Sequence, residues 1–270
     1  MKKLAVILMA VLLTATFASC AEAQISDMSS ISEYMAPSYT HEIATGTLTF
    51  AENIGETAII TKYIGLYTAH TVTVPEKIND RDVISIGNGA FYYCTAVTEV
   101  VLPSTLTTID AWAFAGCTNL EKIVIPASVT SIGKGAFNGC TNLKSVVFEG
   151  TALETIGEYA FQGCAALETI ALPTGLKTIG TQAFRGCESI KSIKAPETLE
   201  TIGNLAFKDC TGLNAEGALV LSESIKEIGE FAFTSINKLY ITAPEGSYAA
   251  KYVDAMKDFE EEETEEVTAE

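Results

Sequence analysis

The dipeptide Ala-Phe recurs seven times in this chain, with phenylalanines at Phe91, Phe114, Phe137, Phe161, Phe184, Phe207 and Phe233, spaced 23, 23, 24, 23, 23 and 26 residues apart. A fixed period in the twenties constrains a chain more tightly than any local pattern. One such unit cannot bury its own apolar face, so successive units must stack into a solenoid. A full period reads C-x-x-L-x-x-I-x-I-P-x-x-V-x-x-I-G-x-x-A-F-x-x; in one copy Leu120, Ile123 and Ile125 are followed by Pro126, Val129, Ile132, Ala136 and Phe137.

Within that period Lys122–Ile125 alternates, which predicts a short strand with Ile123 and Ile125 turned inward. Pro126 ends it, as Pro75, Pro103, Pro173 and Pro196 end its equivalents, because proline donates no ladder bond. Gly87, Gly133, Gly157, Gly180, Gly203 and Gly229 follow the next inward Ile, with Asp110 in the same place once. That position suits a turn with unusual dihedral angles. The Ala-Phe segment reads as one helical turn on the outer side, its Phe filling the wide part of the core. A Ser/Thr column before the repeat Ile (Ser85, Thr108, Ser131, Thr155, Thr178, Thr201) reads as a polar strand edge.

The I-P-x-x-V-x-x-I-G-x-x-A-F-x-x-C core, the hairpin pattern before it and the segment P-E-G-S-Y-A-A-K-Y (Pro244–Tyr252) resemble the BspA-like leucine-rich repeat. This is the cysteine-bearing class found on the surfaces of oral and gut bacteria and some mucosal protists. The resemblance covers about Thr47–Phe259; Phe148-Glu149 departs from the usual I-P, and three extra residues sit in Leu213–Leu221. The expected fold class is an α/β repeat solenoid: a right-handed leucine-rich repeat solenoid with a parallel β-sheet, an N-terminal β-hairpin cap and a C-terminal helical cap. The resemblance implies a cell-surface adhesion or recognition role towards host matrix glycoproteins or other microbes.

The flanks carry their own signals. Met1–Cys20 has a positive start, a short apolar run at Leu4–Leu13 and small residues at its end, the layout of a secretory signal peptide. Two exits compete. Phe17-Ala18-Ser19-Cys20 resembles a bacterial lipobox with Cys20 as the lipidated residue, whereas Ala21-Glu22-Ala23 suits ordinary signal peptidase. Residues 21–46 read as a flexible tether and 47–83 as an N-terminal β cap, with a hairpin at Thr47–Phe50 and Thr57–Tyr63. Residues 84–244 hold the seven repeats. Ala249, Tyr252, Val253, Met256 and Phe259 recur at helical spacing, which places a capping helix at 245–259. Residues 260–270 form an acidic tail with the composition of disorder.

Cys94, Cys117, Cys140, Cys164, Cys187 and Cys210 each lie three residues after the repeat Phe. An even count in an exported chain admits a disulfide reading. A column of identical positions instead points every thiol into the core as a small hydrophobe, and the seventh repeat puts Ile236 there. No zinc spacing accompanies them. His41 and His70 are the only histidines and stand in no motif, so the chain reads as a non-enzyme that requires no cofactor or metal. Its 34 acidic residues against 17 basic ones argue against nucleic acid and against adsorption to anionic lipid.

The remaining candidate is a binding face on the concave sheet, formed by outward residues of successive strands: Glu99 and Val101, Lys122 and Val124, Ser145 and Val147, Thr169 and Ala171, Ser192 and Lys194. Val101, Val124, Val147 and Ala171 make an apolar stripe, read either as strand propensity or as a protein-binding patch. Trp112, Tyr92, Tyr93, Tyr159 and Phe231 mark a second aromatic patch near the Ala-Phe turn. The expected function is an exported, lipid-anchored surface protein that binds a host matrix glycoprotein or a microbial surface protein. An envelope scaffold lipoprotein and a glycan-capture surface protein are the alternatives.

Overall fold

The computed structural model describes residues 38–53, 57–65, 70–215, 217–237 and 240–256. The leader, the lipobox at Cys20, residues 21–37 of the tether, residues 257–259 of the expected capping helix with Phe259, and the acidic tail lie outside the described residues.

Each rung contributes two short strands and one turn around a single core. The strands that carry the Ser/Thr column, from Arg81–Ile86 through Thr108–Ile109, Ser131–Ile132, Thr155–Ile156, Thr178–Ile179 and Thr201–Ile202 to Glu227–Ile228, pair in parallel and in register. They continue into the N-terminal strands to give an eleven-stranded sheet. The column taken as a polar edge is therefore the outward side of the longest sheet. The second sheet contains the strands ending in proline. It comes in two pieces: Thr71–Thr73, Glu99–Val101, Lys122–Ile125, Ser145–Phe148 and Thr169–Ile170 form one, and Ile193–Lys194, Leu219–Val220 and Ile241–Thr242 the other.

At the N-terminus Gly46–Asn53 and Thr57–Gly65 pair antiparallel, and Thr57–Gly65 joins Arg81–Ile86 in parallel. A further strand, Ser38–Ile43, pairs antiparallel with Gly46–Asn53. It lies inside the stretch read as tether, so the sheet starts earlier than Thr47. Its Tyr39 ring stacks on Phe50 at 5.5 Å, and Ile43 packs against the core. At the other end residues 248–256 form a helix that buries Ala249 and Val253. Ser247 starts it, its Oγ accepting from the Ala250 N–H at 3.0 Å.

The seven repeat phenylalanines are fully buried and form a single stack, with centroid spacings from 4.9 Å (Phe91–Phe114) to 5.9 Å (Phe207–Phe233). Rings this close gain offset-stacking energy of about 0.5–1.5 kcal/mol per pair beyond their burial. Tyr63 extends the stack at one end, 5.0 Å from Phe91, with its hydroxyl donating to the Thr45 carbonyl at 2.8 Å. Tyr252 meets Phe233 edge-on at the other end and donates to the Gly229 carbonyl at 2.9 Å.

The Ala-Phe segment is not a helical turn. The Phe N–H bonds to the Ala carbonyl of the next rung (Phe114 to Ala136 at 2.7 Å, Phe137 to Ala160 at 2.7 Å) rather than back along its own chain. Two residues per rung are left-handed: the one before Ala, as in Trp112 (φ 56°) and Tyr159 (φ 57°), and the one before Cys, as in Tyr93 (φ 54°) and Gly139 (φ 70°). The glycine after the repeat Ile has another purpose. A Cβ on Gly180 would lie 2.6 Å from the Glu158 backbone N, and one on Gly203 would lie 2.5 Å from that of Thr181. These glycines permit close approach of rungs rather than a special φ.

Candidate functional site

Outward residues of the second sheet are positioned by the pleat: Val100, Ile123, Val146 and Ile170 are buried, so their neighbours on either side face out. Register aligns Thr71 with Glu99, Glu99 with Lys122, Lys122 with Ser145 and Ser145 with Thr169. In the second column Thr73 aligns with Val101 and Val124 with Val147. Val101 and Val147 are 45% and 43% exposed, Val124 is half-buried and Ala171 is exposed. Seven of the ten candidate residues thus lie on the outward side of one sheet, and Ala171 follows directly after its last strand. Ser192 and Lys194 are also exposed but belong to the separate three-stranded piece.

A charge ladder of alternating sign borders the face. Glu121, Lys144, Glu168 and Lys191 occupy one repeat position in alternating sign, with Lys144–Glu121 at 3.1 Å and Lys191–Glu168 at 2.7 Å. A second ladder runs beside the other sheet, with Lys177–Glu154 and Lys226–Glu200 both at 2.8 Å. Hydrogen bonding and charge from Lys191 hold Glu168 below the ordinary carboxylate range, and Lys226 does the same for Glu200. Glu154 raises the Lys177 ammonium in turn. Aligning the repeats position by position would have exposed the alternation. Such exposed pairs orient the surface more than they stabilise it.

All six repeat cysteines are buried thiols outside any disulfide. Each thiol from Cys117 onward donates to the carbonyl of the preceding rung's Phe, as in Cys117 to Phe91 at 3.0 Å and Cys164 to Phe137 at 3.2 Å. Burial pushes the Cys140, Cys164, Cys187 and Cys210 thiols up, Cys210 to about 12, away from the thiolate that reactivity requires. Asp110, at the one non-glycine position of its column, accepts from the Ser85 hydroxyl at 2.9 Å, and its carboxyl is raised by burial. Among the described residues no three His, Cys, Asp or Glu side chains are grouped to hold a metal ion, and no helix is long and apolar enough to cross a membrane.

Tyr93 and Trp112 sit on glycines of the next rung: a Cβ on Gly116 would meet the Tyr93 ring, and one on Gly135 would meet the indole. Tyr92 contacts Tyr93 edge-on at 4.5 Å, and Lys134 lies 5.2 Å from the centre of the Tyr159 ring. Phe231 is 62% exposed.

Repeated short strands around a continuous ring stack define a leucine-rich repeat β-solenoid. The profile described as BspA type Leucine rich repeat region matches residues 69–187 and 154–249, with 6 copies, and the chain belongs to that family. Among solved structures, a T. pallidum leucine-rich repeat protein is 28% identical with a TM-score of 0.66, the match covering 76% of this chain and 92% of that one. A leucine-rich repeat protein from Eubacterium ventriosum is 23% identical with a TM-score of 0.56, covering 73% of this chain and 52% of that one. One from Bacteroides ovatus is 26% identical with a TM-score of 0.48, over 78% and 68%. A comparison with curated protein sequences finds no match.

Proposed function

We propose that this chain is an exported, lipid-anchored surface protein that binds a protein ligand through the outward face of its second sheet. The observation that carries this reading is the stripe Val101–Val124–Val147–Ala171, apolar and solvent-facing beside a row of polar residues. An exposed apolar band rimmed by charge suits a protein partner, and membership of a leucine-rich repeat family supports a binding scaffold without catalysis. The leader supports export, and Cys20 is the residue that would carry the lipid. Residues 47–83 and 245–259 act as caps on the repeat body 84–244, with Ser38–Ile43 added to the first of them. The ligand is a host matrix glycoprotein or a microbial surface protein.

The test is an array of matrix and microbial surface proteins probed with the mature chain and with a Val101→Glu, Val124→Glu, Val147→Glu variant. A saturable hit that the variant loses, with melting unchanged, supports the reading. Binding untouched by the substitutions removes this face. Silence on the array together with co-purification in an envelope complex favours the scaffold alternative. Metabolic labelling with a fatty acid, lost in Cys20→Ser, tests the anchor.

A further inference from the structure

A trough of about 460 Å³ runs along the first sheet, whereas the apolar stripe belongs to the second. Gly157, Gly180 and Gly203 form its floor, and Thr155, Thr178 and Thr201 one wall. Thr181 and Asn204 also line it, and among the described residues Glu158 and Glu227 are its charged lining groups. Glu158 is already paired with Lys134 at 3.0 Å.

The missing Cβ atoms do more than bring rungs together. The backbone N–H groups of Glu158, Thr181 and Asn204 have no hydrogen-bond partner among the described residues, like those of Ala111 and Lys134 at the same place in earlier rungs. The Cβ that each following glycine lacks would lie on these nitrogens. At the far end the equivalent N–H, that of Glu230, is satisfied by the Asn204 side chain at 2.9 Å. The floor therefore presents a row of unpaired backbone donors, one per rung, beside a row of threonine hydroxyls. Phe231, two residues beyond Gly229 at the end of the trough, is the most exposed large apolar side chain among the described residues. Its backbone is left-handed at φ 56°, as at the same place in every other rung.

We infer that this trough binds a neutral oligosaccharide lying along the solenoid axis. Sugar hydroxyls accept from the free N–H row and donate to the threonines and Glu227, while Phe231 offers a face for a ring's C–H surface. The absence of any lysine or arginine from the lining disfavours an anionic chain. An extended peptide fails on register. Its same-side carbonyls recur roughly 6.7 Å apart, twice the strand rise, against about 4.8 Å between rungs. A pyranose unit is close to one rung in length. The volume falls in the range of about 300–1,000 Å³ usual for small-ligand sites.

The experiment is isothermal titration of the mature chain with neutral hexasaccharides of gluco-, manno-, galacto- and xylo-configuration in α and β linkage. An oligogalacturonate and an oligolysine serve as charged probes. The expected result is saturable binding of at least one neutral probe, weakened about tenfold or more by the double variant Thr178→Val, Thr201→Val, since each lost hydroxyl bond is worth about 1 kcal/mol. Phe231→Ala weakens it about fivefold through loss of ring stacking. Val keeps the β-branched shape, so melting stays at the parent value. The inference is overturned if no neutral probe saturates, if a charged probe binds in preference, or if both variants bind like the parent. Each outcome is separate from protein binding at the other sheet, because the Val101→Glu, Val124→Glu, Val147→Glu variant retains the sugar site.

Discussion

The two sheets cover the same rungs yet differ in continuity and in what they show to solvent. The first is built from strands of two residues through its middle and never breaks; the second reaches four residues in Ser145–Phe148 and then separates after Thr169–Ile170. The difference follows from the residue that ends each strand segment. In the first sheet it is Gly, or Asp110 once, and its N–H bonds the preceding rung's Ile carbonyl at every step, as in Gly133 to Ile109 at 2.8 Å and Gly203 to Ile179 at 2.8 Å. In the second sheet that place belongs to Pro103, Pro126, Pro173 and Pro196, which have no N–H to give. Where Glu149 replaces the proline, its N–H bonds the Ile125 carbonyl at 3.0 Å and the strand pairs over four residues. Glycine ties rungs together on one side; proline leaves the other side freer and its outward positions open to apolar residues.

The largest effect expected from breaking this arrangement lies in the core that both sheets share. Phe161→Ala removes a ring from the middle of the stack and should cost about 3–5 kcal/mol, read as a lowered denaturation midpoint. Gly180→Ala forces a Cβ against the Glu158 backbone and should cost about 1–3 kcal/mol, more than an alanine placed at Ser192 on the second sheet, which changes little. Cys164→Ala loses the thiol bond to Phe137 and a small volume, an intermediate cost of about 1–2 kcal/mol. Iodoacetamide should leave all six repeat thiols unmodified in the native chain and alkylate all six in denaturant; rapid native labelling of any of them would contradict their burial.

The smallest effect is electrostatic. Because Lys191 and Lys226 lower the Glu168 and Glu200 carboxyls in the folded state, that state binds fewer protons there than the unfolded chain does. Their contribution is present above the ordinary carboxylate range and is lost as pH falls through the lowered folded values. Both are exposed, so salt should flatten most of it. Melting curves from neutral to acid pH, at low and high salt, with Glu168→Gln and Glu200→Gln beside the parent, measure the slope.

The columns of Phe, Cys, Gly and Pro were legible because one residue type fills one position at a constant period. The outward register of Val101, Val124 and Val147 followed from the same period. What escaped was set by the fold rather than by residue identity. The left-handed position before Ala holds Gly89, Trp112, Gly135, Tyr159, Gln182, Leu205 and Phe231, so no residue preference advertises it. The glycine after Ile looked like a turn residue because close approach and positive φ select the same amino acid. The continuity of the Ser/Thr sheet was hidden because a strand of two residues has no periodicity to read. The strand Ser38–Ile43 escaped because its flanking composition is that of a linker.

The most direct measurement is hydrogen–deuterium exchange of the mature chain alone and saturated with the protein ligand found on the array. Binding through the second sheet predicts added protection in Glu99–Val101, Lys122–Ile125 and Ser145–Phe148, with Thr155–Ile156 and Thr178–Ile179 unchanged. Protection confined to the Thr-bearing strands, or to the turn around Trp112 and Tyr159, would contradict it.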